Sequence, residues 1–352
     1  MATVEKKPWI ETPLIESASL SKTAGCRVFL KLELLQPSGS FKSRGIGNFI
    51  RNALQDPSNK DQKLHFFISS GGNAGLAAVI AARDLQCSCT VVVPLSTKPM
   101  MLQKLRDVGA SEVVQVGASW FEADTHLRKT YIENQDAAPM RSKNVYVPPF
   151  DHPDVWEGAG TMIDEIVKQM PPREGKGFPV DVVICSVGGG GLFNGVVQGL
   201  GRYHQSQGAA GGKVRILAIE TKGADSLALS LQEGSLQTLP AITSLATSLG
   251  AVQVAPQTLK NAQSPPSGVE IFSVIRSDAE AARGVIRLAE EHRLQVELAC
   301  GVSVDIGSSA KLREYVPDFT SESRIVIVAC GGSNITAEMI TEYRQRLADG
   351  WE

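Results

Sequence analysis

Four short segments of this sequence hold residue types whose spacing could do chemistry. The most specific is Gly188-Gly189-Gly190-Gly191, which follows a mostly apolar run over 180–187, interrupted by Asp181, and precedes a helix-forming stretch from Leu192. Consecutive glycines leave backbone N–H groups uncovered, and at a helix start those groups carry the positive end of the dipole. That is a cradle for a phosphate. Each N–H bond to a charged phosphate contributes about 1.5–3 kcal/mol. A tight turn with positive φ needs one or two glycines, so four favour an anion over a turn alone. No Lys-Ser or Lys-Thr follows, which excludes a nucleoside-triphosphate loop, and Gly188 falls too late in the chain for a dinucleotide fingerprint.

The second segment is Ser69-Ser70-Gly71-Gly72-Asn73-Ala74-Gly75. Ser70 and Asn73 are good helix N-caps, and the free N–H groups of such a turn suit a carboxylate; capping alone explains the spacing equally well. The third is Ala329-Cys330-Gly331-Gly332-Ser333-Asn334, where Cys330 alone reads as a buried apolar residue. The fourth is Pro37-Ser38-Gly39-Ser40-Phe41-Lys42-Ser43-Arg44-Gly45. A lysine is ordinarily a solvated surface charge. Pressed on Phe41 in a Ser/Gly-rich turn, Lys42 would lose its proton more easily and become a Schiff-base amine. An imine-forming lysine and a phosphate cradle together suggest pyridoxal 5'-phosphate, which offers an aldehyde to one and a phosphate to the other.

These segments must be positioned by the elements that flank them. Strand patterns at 64–69, 90–94, 112–116 and 145–148 alternate with helical patterns at 73–85, 98–108 and 121–135. A second series places strands at 180–187, 214–219, 271–274 and 324–329, with helices at 154–169, 192–203, 226–231, 278–292, 301–315 and 335–348. Such alternation predicts an α/β protein with two open, twisted, mainly parallel sheets flanked by helices. The motifs then fall in strand-to-helix turns, where ligands of such folds bind. The expected division is a large domain, residues 1–37 plus 148–352, with a small domain, 38–147, inserted in it and the cofactor in the cleft.

With 352 residues, 43% of them hydrophobic, the chain can bury a sizeable core. The net charge is −2, which gives no electrostatic case for nucleic acid. No apolar run approaches the ~20 residues that span a bilayer, so no membrane partner is expected. The first residues lack an apolar signal core, and the expected location is the cytoplasm. The cysteines at 26, 87, 89, 185, 300 and 330 and the scattered histidines have neither disulfide-framework nor zinc-ligand spacing.

From Glu11-Thr12-Pro13-Leu14 to the Cys330 segment, the sequence resembles the fold-type II pyridoxal-phosphate enzymes, of which tryptophan synthase β is one. Within them it resembles the catabolic L-serine/L-threonine dehydratases. The resemblance rests on Pro-Ser-Gly-Ser-Phe-Lys around Lys42, Ser-Ser-Gly-Gly-Asn around Asn73 and the tetraglycine at 188, in the same order. It implies that Lys42 carries the cofactor and shuttles the Cα proton, that Phe41 packs on the ring, and that Asn73 bonds its hydroxyl. It implies that Gly188, Gly189, Gly190, Gly191 and the Leu192 amide hold the phosphate, while Ser70, Gly71, Gly72, Asn73 and Ala74 hold the substrate carboxylate. Cys330 would face the pyridine nitrogen, where synthases, racemases and biosynthetic deaminases of this fold carry Ser. A monovalent cation, potassium by preference, would sit at Gly188, Glu220, Ala224, Ser226, Leu249 and Ala251, and the enzyme would be a homodimer.

The implied reaction is β-elimination: L-serine to pyruvate and ammonia, L-threonine to 2-oxobutyrate and ammonia. No His or carboxylate in the four turns is placed to protonate the departing hydroxide, which leaves the cofactor phosphate, with a second pKa of about 6, as the candidate acid. Family members carry Ala or Gly at position 71. Gly71 here predicts a pocket enlarged by one methyl. A racemase that also eliminates, a non-catalytic cofactor-binding protein and a dinucleotide-dependent dehydrogenase are the alternatives, each disfavoured by Cys330, by the intact Lys42, Asn73 and tetraglycine, or by the position of Gly188.

Overall fold

A computed structural model describes residues 6–134, 142–171, 173, 177–207, 212–309 and 311–351. In chain order, β1 (Leu14–Glu16), α1 (Ala18–Ala24) and β2 (Arg27–Lys31) precede α2 (Lys42–Gln55) and β3 (Lys63–Ile68). Then come α3 (Asn73–Asp84), β4 (Ser88–Val93), α4 (Pro99–Asp107), β5 (Glu112–Gln115), α5 (Trp120–Leu127) and β6 (Ser142–Tyr146). Next are α6 (Pro153–Gln169), β7 (Val182–Ser186), α7 (Gly191–Gln207), β8 (Val214–Thr221), α8 (Ser226–Gln232) and α9 (Pro256–Gln263). The rest is β9 (Val269–Arg276), α10 (Asp278–His292), α11 (Leu298–Gly307), α12 (Leu312–Tyr315), β10 (Arg324–Val328) and α13 (Ala337–Ala348).

Two compact units result. One comprises the chain up to Ile10 with Gln36–Gly158; the other comprises Glu11–Leu35 with the chain from Ala159 onward. The first holds a four-stranded sheet in the order β5-β4-β3-β6, parallel throughout. The second holds a six-stranded sheet in the order β1-β2-β10-β7-β8-β9, in which only the β1–β2 pair is antiparallel. The central strands read as continuous apolar runs, Val-Val-Ile-Cys-Ser in β7 and Arg-Ile-Val-Ile-Val in β10, because helices cover both faces of a parallel sheet.

Three sequence expectations change. Lys42 does not sit in a turn but is the first residue of α2. Gly45 and Gly47 weaken the helical pattern there, yet both are required by close packing: a Cβ on Gly45 would meet the Val155 carbonyl oxygen at 2.6 Å, and one on Gly47 the Pro8 Cγ at 2.8 Å. The helix expected over 301–315 instead starts at Leu298, ends at Gly307 and is followed by the short α12. Gly301 is the helix's contact point rather than its start: a Cβ there would lie 2.2 Å from the Ala281 oxygen, and one on Gly284 2.0 Å from the Gly301 oxygen. Glycine at both positions lets α10 and α11 touch backbone to backbone. The α-helix expected over 121–135 stops at Leu127 and continues as a π-helical turn, Arg128–Ile132; residue 135 lies outside the described residues. By contrast α10 spans the expected 278–292, fixed by a capping box between Ser277 and Glu280.

Candidate active site

Lys42 lies half-buried at the N-terminus of α2, next to Phe41, with Nζ 5.3 Å from that ring's centroid. The ammonium donates a hydrogen bond to the Pro149 carbonyl oxygen at 2.6 Å. The helix is pinned from behind: Asn48 Nδ2 donates to the Asp154 oxygen at 2.9 Å, and Ser43 Oγ meets Ser38 Oγ at 2.7 Å. Residues 43–50 are buried without a break, so the lysine extends from a fixed backbone. No residue-type signal could have flagged Pro149, because its contribution is a main-chain oxygen.

In the same unit, β3 runs into Ser70, Gly71, Gly72, Asn73 and Ala74. The expected side-chain caps are not formed: Gly72 is the N-cap of α3 with no side-chain cap bond, and the Ser70 Oγ accepts from the Gly72 N–H at 3.4 Å. Gly75 lets this turn fold over the helix start, since a Cβ there would lie 1.9 Å from the Ser70 oxygen. The Ser70 to Ala74 amides are thereby gathered at a helix N-terminus, an arrangement that suits a carboxylate. The enlarged pocket expected from Gly71 is not found. The space a methyl would take is filled by Thr97 Cγ2, 2.7 Å from the Cβ position, and Val93 Cγ1, at 3.1 Å.

In the second unit, Gly188, Gly189, Gly190 and Gly191 bridge β7 to α7, and Leu192 follows within the helix. Gly190 takes φ +98°, and a Cβ there would sit 1.8 Å from Thr258 Oγ1. Thr258, on α9, is fully buried; its hydroxyl donates to the Gly189 oxygen at 3.4 Å and accepts from Asn194 Nδ2 at 3.1 Å. Asn261 Nδ2 in turn donates to Asn194 Oδ1 at 3.0 Å. This network braces a loop of four glycines that carries no side chains of its own, which fits a phosphate. Sequence reading missed α9 altogether; Pro256 at its first turn was the available signal.

Cys330 follows β10 and is buried, with Sγ 3.7 Å from Ser186 Oγ and 4.0 Å from the Ala299 oxygen. Its hydrogen bond with Cys300, and then its burial, push the thiol well above its ordinary range, so it is neutral. Glu297, unremarked in the sequence, braces the residues after it: its carboxylate accepts from the Asn334 N–H at 2.8 Å and from Ser248 Oγ.

The six candidate cation residues form one neighbourhood of the second unit. Glu220 is fully buried and accepts from the Leu227 and Ala228 amides, each at 2.8 Å. Burial pushes its carboxyl up to about 8, against the lowering by those two amides, and no cationic side chain among the described residues pairs with it. Ser226 Oγ donates to the Ala251 oxygen at 3.0 Å, and the Ala251 N–H to the Leu249 oxygen at 2.7 Å, around Gly250. The Ala224 N–H donates to the Thr221 oxygen at 2.8 Å, and the Gly188 Cβ position lies 3.1 Å from Leu249 Cα. A buried acidic group in a segment whose backbone carbonyls lie close by in the chain is the kind of donor set that suits a large, weakly hydrated cation.

Residues 6–331 match the family described as pyridoxal-phosphate dependent enzyme. The chain is 38% identical over 347 residues to an L-serine dehydratase of Saccharomyces cerevisiae, covering 98% of this chain and 99% of that one. It is 36% identical to the L-serine dehydratase/L-threonine deaminase of Homo sapiens, covering 96% of this chain and 95% of that one. Its structure is similar to that of a fungal L-serine ammonia-lyase from Rhizomucor miehei, with a TM-score of 0.81, 31% identity, and coverage of 97% and 99%. A maize serine racemase, at 22% identity and a TM-score of 0.77, shares the fold. An α/β chain with these turns and these relatives belongs to the pyridoxal-phosphate dependent enzymes, the family that holds the L-serine dehydratases.

Proposed function

We infer that the protein is an L-serine/L-threonine ammonia-lyase, which converts L-serine to pyruvate and ammonia and L-threonine to 2-oxobutyrate and ammonia. The observation that carries this reading is similarity to L-serine dehydratases over almost the full length of both chains. The residues proposed for the work lie at the start of α2, in the Ser70 and tetraglycine turns, and after β10. Pyridoxal phosphate, when bound, supplies the carbonyl for a lysine and the electron sink for a carbanion at the substrate Cα.

The chain does the rest. Lys42 holds the cofactor and takes the Cα proton on Nζ; its bond to the Pro149 oxygen restrains the amine where the proton is to be moved. The amides of Ser70, Gly71, Gly72, Asn73 and Ala74 bind the substrate carboxylate, and Phe41 and Asn73 orient the ring. Gly188, Gly189, Gly190, Gly191 and Leu192 bind the phosphate. Cys330 would serve the ring nitrogen with a weak S–H bond and no charge, and so would not favour reprotonation at Cα over loss of the β-hydroxyl. Glu220 and the carbonyl neighbours around it are the proposed monovalent cation site, with potassium the proposed ion.

The proposed assembly is a homodimer, on family resemblance, and the proposed location is the cytoplasm, which suits six free cysteines. No helix among the described residues is long and apolar enough to cross a membrane. The test is keto-acid production from L-serine and L-threonine, with D-serine measured in the residual substrate, for the wild type and Lys42→Ala. Keto acid from the wild type alone is expected; it should fall when potassium is exchanged for tetramethylammonium. Substantial D-serine would move the reading to a racemase.

A further inference from the structure

One buried charge in the first unit has no part in the scheme above. Asp124, on α5, is 8% exposed. Its Oδ1 accepts two hydrogen bonds, from Ser69 Oγ at 2.5 Å and Tyr146 Oη at 2.8 Å. Its Oδ2 accepts from Arg128 Nε at 2.7 Å, and the Arg128 guanidinium lies 3.8 Å above the Tyr146 ring. Packing alone does not require a carboxylate here, because α5 is already docked by Ala123 and Leu127, which cluster with Phe67 and Val92. What the carboxylate adds is a junction between two strand ends. Ser69 is fully buried and directly precedes the Ser70 turn. Tyr146 is the last residue of β6, three before Pro149, whose oxygen holds Lys42 Nζ.

Resting on the roles assigned above to Lys42 and the Ser70 turn, we propose that Asp124 is a positioning residue that fixes the substrate-carboxylate turn in register with the lysine. The turn contains Gly71 and Gly72 and has little stiffness of its own; Ser69 is where it can be held. A charged acceptor serving two donors on one oxygen holds both strand ends at one distance, which two neutral contacts would do less firmly. Charge-assisted bonds of this kind act on binding geometry, where small displacements of a site have large effects.

The experiment uses the cofactor-loaded enzyme and glycine, which has the carboxylate but no hydroxyl to lose. Glycine binding is read from the change in cofactor absorbance, beside the KM and kcat for L-serine. Ser69→Ala and Asp124→Asn should each weaken glycine and raise the KM about tenfold, while cofactor affinity stays at the wild-type value. The double variant should be no weaker than Asp124→Asn, because both act through one bond. Should Asp124→Asn not fold, Ser69→Ala carries the test alone. Glycine binding at the wild-type value in these variants overturns the proposal, as does a double variant whose effect is the product of the two. Absence of keto acid with Asp124-dependent glycine binding would sink the lyase reading and leave this one standing.

Discussion

Replacing Gly190 by alanine tests whether the tetraglycine segment is a cradle or only a turn. Two costs follow from its geometry. A φ of +98° is unfavourable for a residue with a Cβ, by about 1–2 kcal/mol. The Cβ would also lie 1.8 Å from Thr258 Oγ1, and overpacking of this kind costs about 1–3 kcal/mol. Thr258 is fully buried and bonded to both Gly189 and Asn194, so it has little freedom to swing aside. The loop must therefore move, and its N–H groups leave the positions that suit a phosphate. If the combined 2–5 kcal/mol falls on cofactor binding, at about 1.4 kcal/mol per decade, affinity drops by roughly thirty-fold to a few thousand-fold. The assay is titration of the apo protein with pyridoxal phosphate, followed by absorbance of the bound cofactor, with thermal melting of the apo form beside it. Thr258→Ala in the Gly190→Ala background removes the Oγ1 and Cγ2 contacts but leaves the Thr258 Cβ at 2.8 Å and the φ cost, and should recover part of the loss. A Gly190→Ala protein with unchanged cofactor affinity and unchanged melting would refute the reasoning.

Three further outcomes are expected. Gly71→Ala should lower kcat/KM for L-serine about tenfold, because the methyl collides with Thr97 Cγ2 at 2.7 Å; Thr97→Ser in the same chain should restore most of it, and a gain in activity from Gly71→Ala alone would contradict the packing. Glu165→Ala should cost about 3 kcal/mol in a denaturant titration, since it strips the carboxylate from fully buried Lys31, whose Nζ it meets at 2.6 Å; Lys31→Met with Glu165→Leu should cost much less. Burial holds His65 below its ordinary 6.5, so the folded state takes up its proton later than the unfolded one. Its contribution is complete above about pH 6.5 and is lost as the pH falls through the lower folded value; His65→Gln should flatten the fall in urea midpoint between about pH 7 and pH 5, and an unchanged slope would discount it.

Much of this was legible in the sequence, and the reason differs from feature to feature. Strand and helix alternation from β3 to β6 and from β7 to β10 follows from apolar runs broken by turn residues, so the α/β architecture could be read off. The segments at Lys42, Ser70, Gly188 and Cys330 could be found because an amine, a row of bare amides and a thiol each need a particular residue type. What could not be found acts through generic groups. The Pro149 oxygen that meets Lys42 is a main-chain atom, and Thr258, which stands behind Gly190, lies 68 positions away on a helix that the reading overlooked.

The glycines make the physical point most sharply. At Gly190 the missing Cβ answers to a positive φ and to Thr258; at Gly284 and Gly301 it lets two helices meet; at Gly71 its place is taken by Thr97 and Val93. A string of letters gives these one symbol. Runs of glycine after a strand carry a functional signal because close packing seldom needs four in a row, whereas an isolated glycine does not say which neighbour fills its space. That neighbour decides whether a methyl would be harmless, would cost stability or would cost ligand. The Gly71→Ala and Gly190→Ala variants therefore probe one chemical change against two different neighbours: a half-buried threonine side chain that can rotate, and a buried one that is bonded in place. The loss at Gly190 should accordingly exceed that at Gly71, and the reverse order would mean that the neighbours have been wrongly assigned.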